Sequence, residues 1–267
     1  MSEVGKVCHW ALKEYIDNQW RWPRESDLVV ELVTELKKIV GNDFSTKKFD
    51  GKLVDKDGKD EEGICKNTLR IRTEVRLGIG ESQRVDICLL NEKPTLYYNK
   101  KYSRRNIELA IKPDDVHEIL EVKLDPHKLL YWVDDIIKLK HIHDKYPEIH
   151  QHLIAIDNSL YLQSNLMKGK SPIALHSGWP LQTQCDINIS GYKSSKPKQK
   201  NQVYSINLKH IKDLSTCSIA SMRPGIYLWA LGVTSGQAAN STVAVQPSCW
   251  QLDTASFVEK LNSKYVA

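Results

Sequence analysis

Two apolar runs of this chain carry charge near their middles. "RVDICLL", residues 84–90, holds Asp86, and "HEILEVKLDP", residues 117–126, holds Glu121 and Lys123. Ionised groups taken out of water need a partner or a metal ion. Side chains alternate across a strand, so Glu121 and Lys123 share one face while Val122 and Leu124 take the other. Asp86 joins them if its strand is a neighbour. Two carboxylates converging at a strand end form a hard, oxygen-rich site suited to Mg²⁺, which keeps several waters and takes one or two protein carboxylates plus a substrate phosphate. An ammonium beside them can hold or polarise an attacking water. The plain structural reading is a buried ion pair of Lys123 with Glu121 or Asp86. Such pairs are poor sources of stability, so function is the more economical account of three charges on two core strands.

The elements that must position these groups follow from periodicity. Residues 9–19 read as a helix. A second follows "WPRESDLVVELVTELKKIVG", with Pro23 in a first-turn position and Gly41 as a stop. Leu28, Val29, Leu32, Leu36 and Ile39 form its apolar face, and Glu25 falls on that face one turn earlier. Glu25 serves equally as a first-turn complement to the helix dipole. "NDFSTKKFDGKLVDKDGKDEEGICKN" is polar and glycine-punctuated, a long loop or frayed hairpin. "TLRIRTEVRL" alternates strictly, with Leu69, Ile71, Thr73, Val75 and Leu77 on one side and Arg70, Arg72, Glu74 and Arg76 on the other. "GIGES" makes a turn into "RVDICLL". After the Lys/Arg/Tyr-rich "TLYYNKKYSRRN" comes a third strand, "VHEILEVKL". "DPHKLLYWVDDIIKLKHIHDKY" opens with Asp125 as N-cap and Pro126 at the first helical position, then runs as an amphipathic helix. "HLIAID", residues 152–157, is a fourth strand, and a strand–helix–strand unit within one sheet favours a right-handed parallel crossover.

Beyond residue 157 the pattern weakens. "SGYKSSKPKQKN", residues 190–201, reads as a basic Ser/Pro-rich loop; "QVYSINL", "GIYLWALGV" and "STVAVQ" are short strand candidates; "TASFVEKLNSKYV" looks like a closing helix. There is no internal repeat and no second domain boundary. The expectation is one domain over 1–267, with a core at about 23–157 and a C-terminal β-rich extension at about 158–267 of unknown role.

The composition excludes little. With 267 residues and 41% hydrophobic content the chain can bury a real core. No apolar run approaches a membrane span, and "MSEVGKVCHWALKEYIDNQW" lacks the pattern of a signal peptide, so membrane partners and secretion are not expected. The six cysteines are scattered singly, without a CxxC pair, which fits free thiols in a reducing cytoplasm. A formal net charge of +5 permits a polyanionic partner without requiring one. His141/His143 and His150/His152 have a spacing that on a helix points the rings apart. The seven tryptophans read as core and groove fillers.

The ordered set "WPRESDLVVEL", "RVDICLL", "EILEVKL", "YWVDDIIKLKHI" and "HLIAID", over roughly residues 23–157, resembles the PD-(D/E)XK nuclease superfamily. The same D-x-K spacing occurs at Asp50/Lys52 and Asp57/Lys59, but in the polar glycine-rich stretch where nothing fixes its geometry; only Glu121/Lys123 lies in an apolar strand. The proline that often precedes the family's aspartate is replaced by Val85. The resemblance implies an α/β, restriction-endonuclease-like core of helix, three strands, helix and strand, a mixed central sheet flanked by helices, followed here by the β-rich elaboration.

It also implies a site. Asp86 and Glu121 would ligate Mg²⁺, for which Mn²⁺ can substitute, with the Val122 carbonyl completing the set and Lys123 positioning or activating the water. Glu25 and Glu74 are further acidic candidates, although Glu74 also reads as an exposed strand residue paired with Arg72 or Arg76. Lys100, Lys101, Arg104, Arg105 and Lys138 are candidates for phosphate contacts. The first four belong to the insertion at 96–115, which with that at 190–201 would grip the duplex, and Lys138 belongs to the helix. The expected function is a cytoplasmic, metal-dependent endonuclease acting on duplex DNA, with restriction enzymes as one such class and homodimerisation left open. Alternatives are a catalytically silent nucleic-acid-binding or scaffolding protein of the same fold, and a nuclease for RNA or branched DNA.

Overall fold

A computed structural model describes residues 2–18, 21–40, 53–54, 70–77, 84–91, 96–98, 109–111, 113–124, 131–156, 185–194, 202–212, 214, 223–234 and 244–261. Among these residues the elements run α1 (Glu3–Asp17), α2 (Glu25–Val40), β1 (Leu53–Val54), β2 (Ile71–Arg76), β3 (Arg84–Leu90), β4 (Leu96–Tyr98), β5 (Leu109–Ile111), β6 (Val116–Leu124), α3 (Tyr131–Lys145), β7 (His150–Ile156), β8 (Ile187–Lys193), β9 (Gln202–His210), β10 (Ile226–Thr234), β11 (Ala244–Leu252) and β12 (Val258–Leu261). The architecture is α/β. A nine-stranded mixed sheet, largely antiparallel, has the order β12, β9, β11, β10, β7, β6, β3, β2, with β8 paired to β9. A smaller sheet joins β1, β4 and β5.

The large sheet is parallel only around β7, which pairs with β6 on one side and β10 on the other. Parallel neighbours need a long crossover. Between β6 and β7 that crossover contains α3, whose residues Trp132, Val133, Ile136, Ile137 and Leu139 are fully buried. They pack on one sheet face with Cys88, Ile119, Leu153 and Leu228, while α1 and α2 cover the opposite face over Ile87, Leu120, Val122, Ile154 and Trp229. The strands beside β7 are therefore covered on both sides, which is why they read as near-continuous apolar runs. Pairing of β10 with β7 carries the same sheet into the residues after 157. Among the described residues, no helix is long and apolar enough to cross a membrane.

Several sequence expectations are corrected. The first helix is Glu3–Asp17 rather than 9–19, because Ser2 accepts a hydrogen bond from Gly5 N–H and caps it early. Pro23 lies before α2 rather than in its first turn: Arg24 supplies the carbonyl that Asp27 and Leu28 bond to. The apolar face of α2 is Leu28, Leu32 and Leu36, with Val29, Val33 and Val40 partly covered; Ile39 is 37% exposed. In "TASFVEKLNSKYV", expected as a closing helix, Val258–Leu261 is instead the edge strand β12, whose backbone pairs with β9; residues 262–266 lie outside the described residues. The start of "SGYKSSKPKQKN" continues strand β8 through Lys193, across an irregularity where Gly191 takes φ +71°. His150 and His152 lie on a strand, so their rings share a face. Asp125, Pro126, Gly41, Leu69, "GIGES" and the two D-x-K decoys lie outside the described residues.

Candidate functional site

Strand β6 runs antiparallel to β3 with Ile87 opposite Leu120 and Cys88 opposite Ile119. Continuing that register by one residue sets Asp86 across from Glu121. The ladder departs from its regular pattern here. Asp86 Oδ2 accepts a hydrogen bond from Val122 N–H at 2.8 Å, so a carboxylate rather than a backbone carbonyl meets that amide. An extended residue directs its N–H and C=O to the same side, so the Val122 carbonyl also faces the β3 edge.

The strands turn over at this level. Ile71 and Ile87 pack under α1 and α2, yet Val75 and Val85, which strict alternation would put with them, pack under α3. Between Ile71 and Val75, Glu74 has φ +54°, a left-handed conformation that side-chain-bearing residues rarely adopt. The strict alternation expected for "TLRIRTEVRL" fails at this residue, and Thr73 is exposed. Glu74 itself points outward, 66% exposed in its side chain, and meets Arg84 at 3.9 Å. The register places it across from Asp86, but its carboxylate does not join the group. Backbone strain of this kind collects at functional sites.

Glu121 is 1% exposed. Lys138 of α3 donates to its Oε2 at 2.5 Å and to the Arg84 carbonyl at 2.7 Å, while Oε1 is buried with no hydrogen-bond partner. Burial pushes the Glu121 carboxyl up to about 8; Lys138 works against this and the charges of Asp86 and Asp135 work with it. Lys123 Nζ lies 3.4 Å from Asp135 of α3 and 3.9 Å from Glu25 of α2. Burial disfavours its charge, but Asp135, Glu25, Asp86 and Glu121 together outweigh burial and raise the ammonium above its ordinary range. Glu25 Oε2 also accepts from Leu124 N–H at 3.3 Å, tying the start of α2 to the end of β6. Burial raises the Glu25 carboxyl, with Lys123 opposing.

The structure thus brings Glu25, Asp86, Glu121 and Lys123 together and leaves Glu74 aside. Lys138 is 8% exposed and engaged inside the site, so it does not stand on a solvated face that could meet phosphates. Lys100, Lys101, Arg104 and Arg105 lie outside the described residues. Asp135 was missed by sequence reasoning. Its signal is present in "YWVDDIIKLK": Asp135 and Lys138 recur at i, i+3 on a helix otherwise rich in large apolar residues, so they mark charge on a buried face. They match Glu121 and Lys123 crosswise, strand acid to helix base and strand base to helix acid.

The donor set is of the type a divalent ion would take, although among the described residues no three of its carboxylates bring ligand oxygens within 4.8 Å of one another. The available ligands are oxygens, as Mg²⁺ requires. The four carboxylates of Glu25, Asp86, Glu121 and Asp135 against the two ammoniums of Lys123 and Lys138 leave an excess of two negative charges when all are ionised. The orphaned Glu121 Oε1 is a buried acceptor that such an ion would satisfy.

A second cluster involves the other end of β6. The ligand atoms of Glu3, His117 and Glu118 approach one another closely enough to suggest a metal, but Glu118 is already committed. Its carboxylate accepts from Glu3 N–H at 3.2 Å and Val4 N–H at 3.1 Å, capping α1. His152 Nε2 lies 3.1 Å from Ser2 Oγ and 3.4 Å from Glu118, and because an indole N–H only donates, the 3.1 Å bond from Trp229 to Nδ1 leaves the imidazole proton on Nε2, on the side of these two oxygens. This network joins α1 to the sheet. Trp22, Trp132, Trp229 and Trp250 are fully buried, as core fillers should be. Comparison of the chain with protein-family models, with curated proteins and with solved structures found no match in any of the three.

Proposed function

We propose that the chain is a metal-dependent nuclease that hydrolyses phosphodiester bonds in DNA, with a restriction-endonuclease-like core formed by α2, β2, β3, β6, α3 and β7. The observation that carries this reading is the convergence of Asp86, Glu121 and Lys123 at the end of two adjacent strands, with a buried Glu121 oxygen lacking a partner. The order of elements, with helix, antiparallel strands, crossover helix and parallel strand, agrees with the resemblance drawn from the sequence.

In this reading Asp86, Glu121 Oε1 and the Val122 carbonyl hold the ion, which supplies Lewis-acid polarisation of the phosphodiester and neutralises developing charge. The chain's own residues supply position. Asp86 is fixed by Val122 N–H, Glu121 by Lys138, and the Lys123 ammonium by Asp135 and Glu25, leaving it beside the carboxylates to orient the attacking water. The buried cysteines Cys8 and Cys88 carry free thiols, which accords with a reducing cytoplasm.

The test is incubation of purified protein with duplex DNA, single-stranded DNA and RNA, with Mg²⁺ or Mn²⁺ and with EDTA. Cleavage of duplex DNA that needs the metal and disappears in Asp86→Ala and in Lys123→Ala is the expected result. Cleavage that survives Asp86→Ala places the activity elsewhere, and no cleavage of any substrate favours a silent scaffold. Cleavage of RNA alone replaces the substrate and keeps the chemistry.

A further inference from the structure

We infer that the Lys138 ammonium is the second cation of this site, so that the chain takes up one divalent ion rather than two; this rests on the metal-dependent reading above. Two-metal sites place their ions about 3.5–4 Å apart on shared carboxylates, and they need enough uncommitted oxygens to hold both. Here three of the four carboxylates have an oxygen bonded by the protein, while the fourth, Asp135, meets Lys123 in an ion pair without a hydrogen bond. Asp86 Oδ2 takes Val122 N–H, Glu25 Oε2 takes Leu124 N–H, Asp135 Oδ2 faces Lys123, and Glu121 Oε2 takes Lys138. Of the pair directly across the β3–β6 ladder, one oxygen of each side chain is left, enough for a single ion with water and phosphate completing its shell.

Lys138 stands where a second ion would have to sit. Its Nζ is held between Glu121 Oε2 at 2.5 Å and the Arg84 carbonyl oxygen at 2.7 Å, two oxygen ligands from two adjacent strands, and the residue is 8% exposed. An ammonium with two oxygens at these distances fills a cation cradle. Its positive charge also repels a second divalent ion at close range. Lys138 is on this account a positioning residue: it fixes Glu121 so that Oε1, and not Oε2, is presented to the ion.

The experiment counts Mn²⁺ bound per chain by the electron paramagnetic resonance of the free ion, with Asp86→Ala as the background for surface binding. Wild type should bind one ion above that background. Lys138→Ala, which vacates both the charge and the cradle, should bind two, the second more weakly, and the bound spectrum should broaden from coupling between neighbouring ions. Lys138→Arg keeps the charge and should stay at one. Circular dichroism reports whether Lys138→Ala is folded; if it is not, wild type and Lys138→Arg decide. Two ions in wild type or in Lys138→Arg, or one in a folded Lys138→Ala, would overturn the inference while leaving metal-dependent cleavage intact. No ion in wild type would remove the metal reading itself and this inference with it.

Discussion

Replacing Glu121 by glutamine tests how strongly the fold perturbs its central carboxylate. Burial pushes Glu121 from an ordinary 4.5 up to about 8. At about 1.36 kcal/mol per pH unit, that rise corresponds to about 5 kcal/mol of linkage. The sign follows from proton counting. Between the two values the folded chain holds a proton on Glu121 that the unfolded chain has released, so the stabilisation is complete below about 4.5 and is lost as pH rises through 8. Glutamine has no such proton. Glu121→Gln should therefore gain on wild type steadily between pH 5 and 8, whatever fixed cost comes from setting an amide against Lys138. Urea unfolding followed by circular dichroism at half-unit steps of pH, without divalent ions, gives the two stabilities. Saturating Mn²⁺ should restore wild type at the alkaline end and leave the variant unmoved, because the ion replaces the proton on Glu121. A stability difference constant to within about 1 kcal/mol over that range would refute the account of Glu121 as a buried, proton-holding carboxyl.

Three further outcomes are expected. Glu118→Gln should destabilise the chain at neutral pH by at least about 1 kcal/mol, the worth of a helix cap. Burial raises Glu118, but the bonds from His152, Glu3 and Ser2 outweigh it and hold the carboxyl well below its ordinary range, so the variant's deficit should vanish as pH falls from about 4.5 towards 2 in acid unfolding. Replacing Arg104 and Arg105 by alanine should flatten the salt dependence of duplex binding by about 0.9 in log–log slope for each phosphate no longer neutralised, read by fluorescence anisotropy; an unchanged slope removes "KKYSRRN" from the binding surface. Leu32→Ala, at the centre of the buried face of α2, should cost about 2–5 kcal/mol in thermal or urea unfolding, and a cost below about 1 kcal/mol would mean that α2 is not held by that face.

Local pattern was enough to locate the strands that carry the candidate chemistry. "RVDICLL", "VHEILEVKL" and "HLIAID" are short apolar runs between polar flanks, and each appears as a strand at or near those bounds, the last beginning two residues earlier at His150. Period two then put Glu121 and Lys123 on a common face, and only their placement in such a run separated them from the same triplet spacing in polar segments. Glu25 was legible as a residue on the buried side of α2, although not as a partner of both Lys123 and the Leu124 amide. The remainder came from long-range packing. The register of β3 against β6 set Asp86 across from Glu121, a choice that no local periodicity encodes. The positive φ at Glu74 reversed the faces of β2 and turned that carboxylate outward, because one left-handed residue overrides the alternation of all that follow it. Lys138, a surface lysine by composition, became the counter-ion of Glu121 because α3 is covered on its charged side as well as its apolar one. Within "TASFVEKLNSKYV", read as a closing helix, Val258–Leu261 is instead an edge strand, because pairing with the open edge of β9 satisfies its backbone, a long-range choice that local propensity does not show.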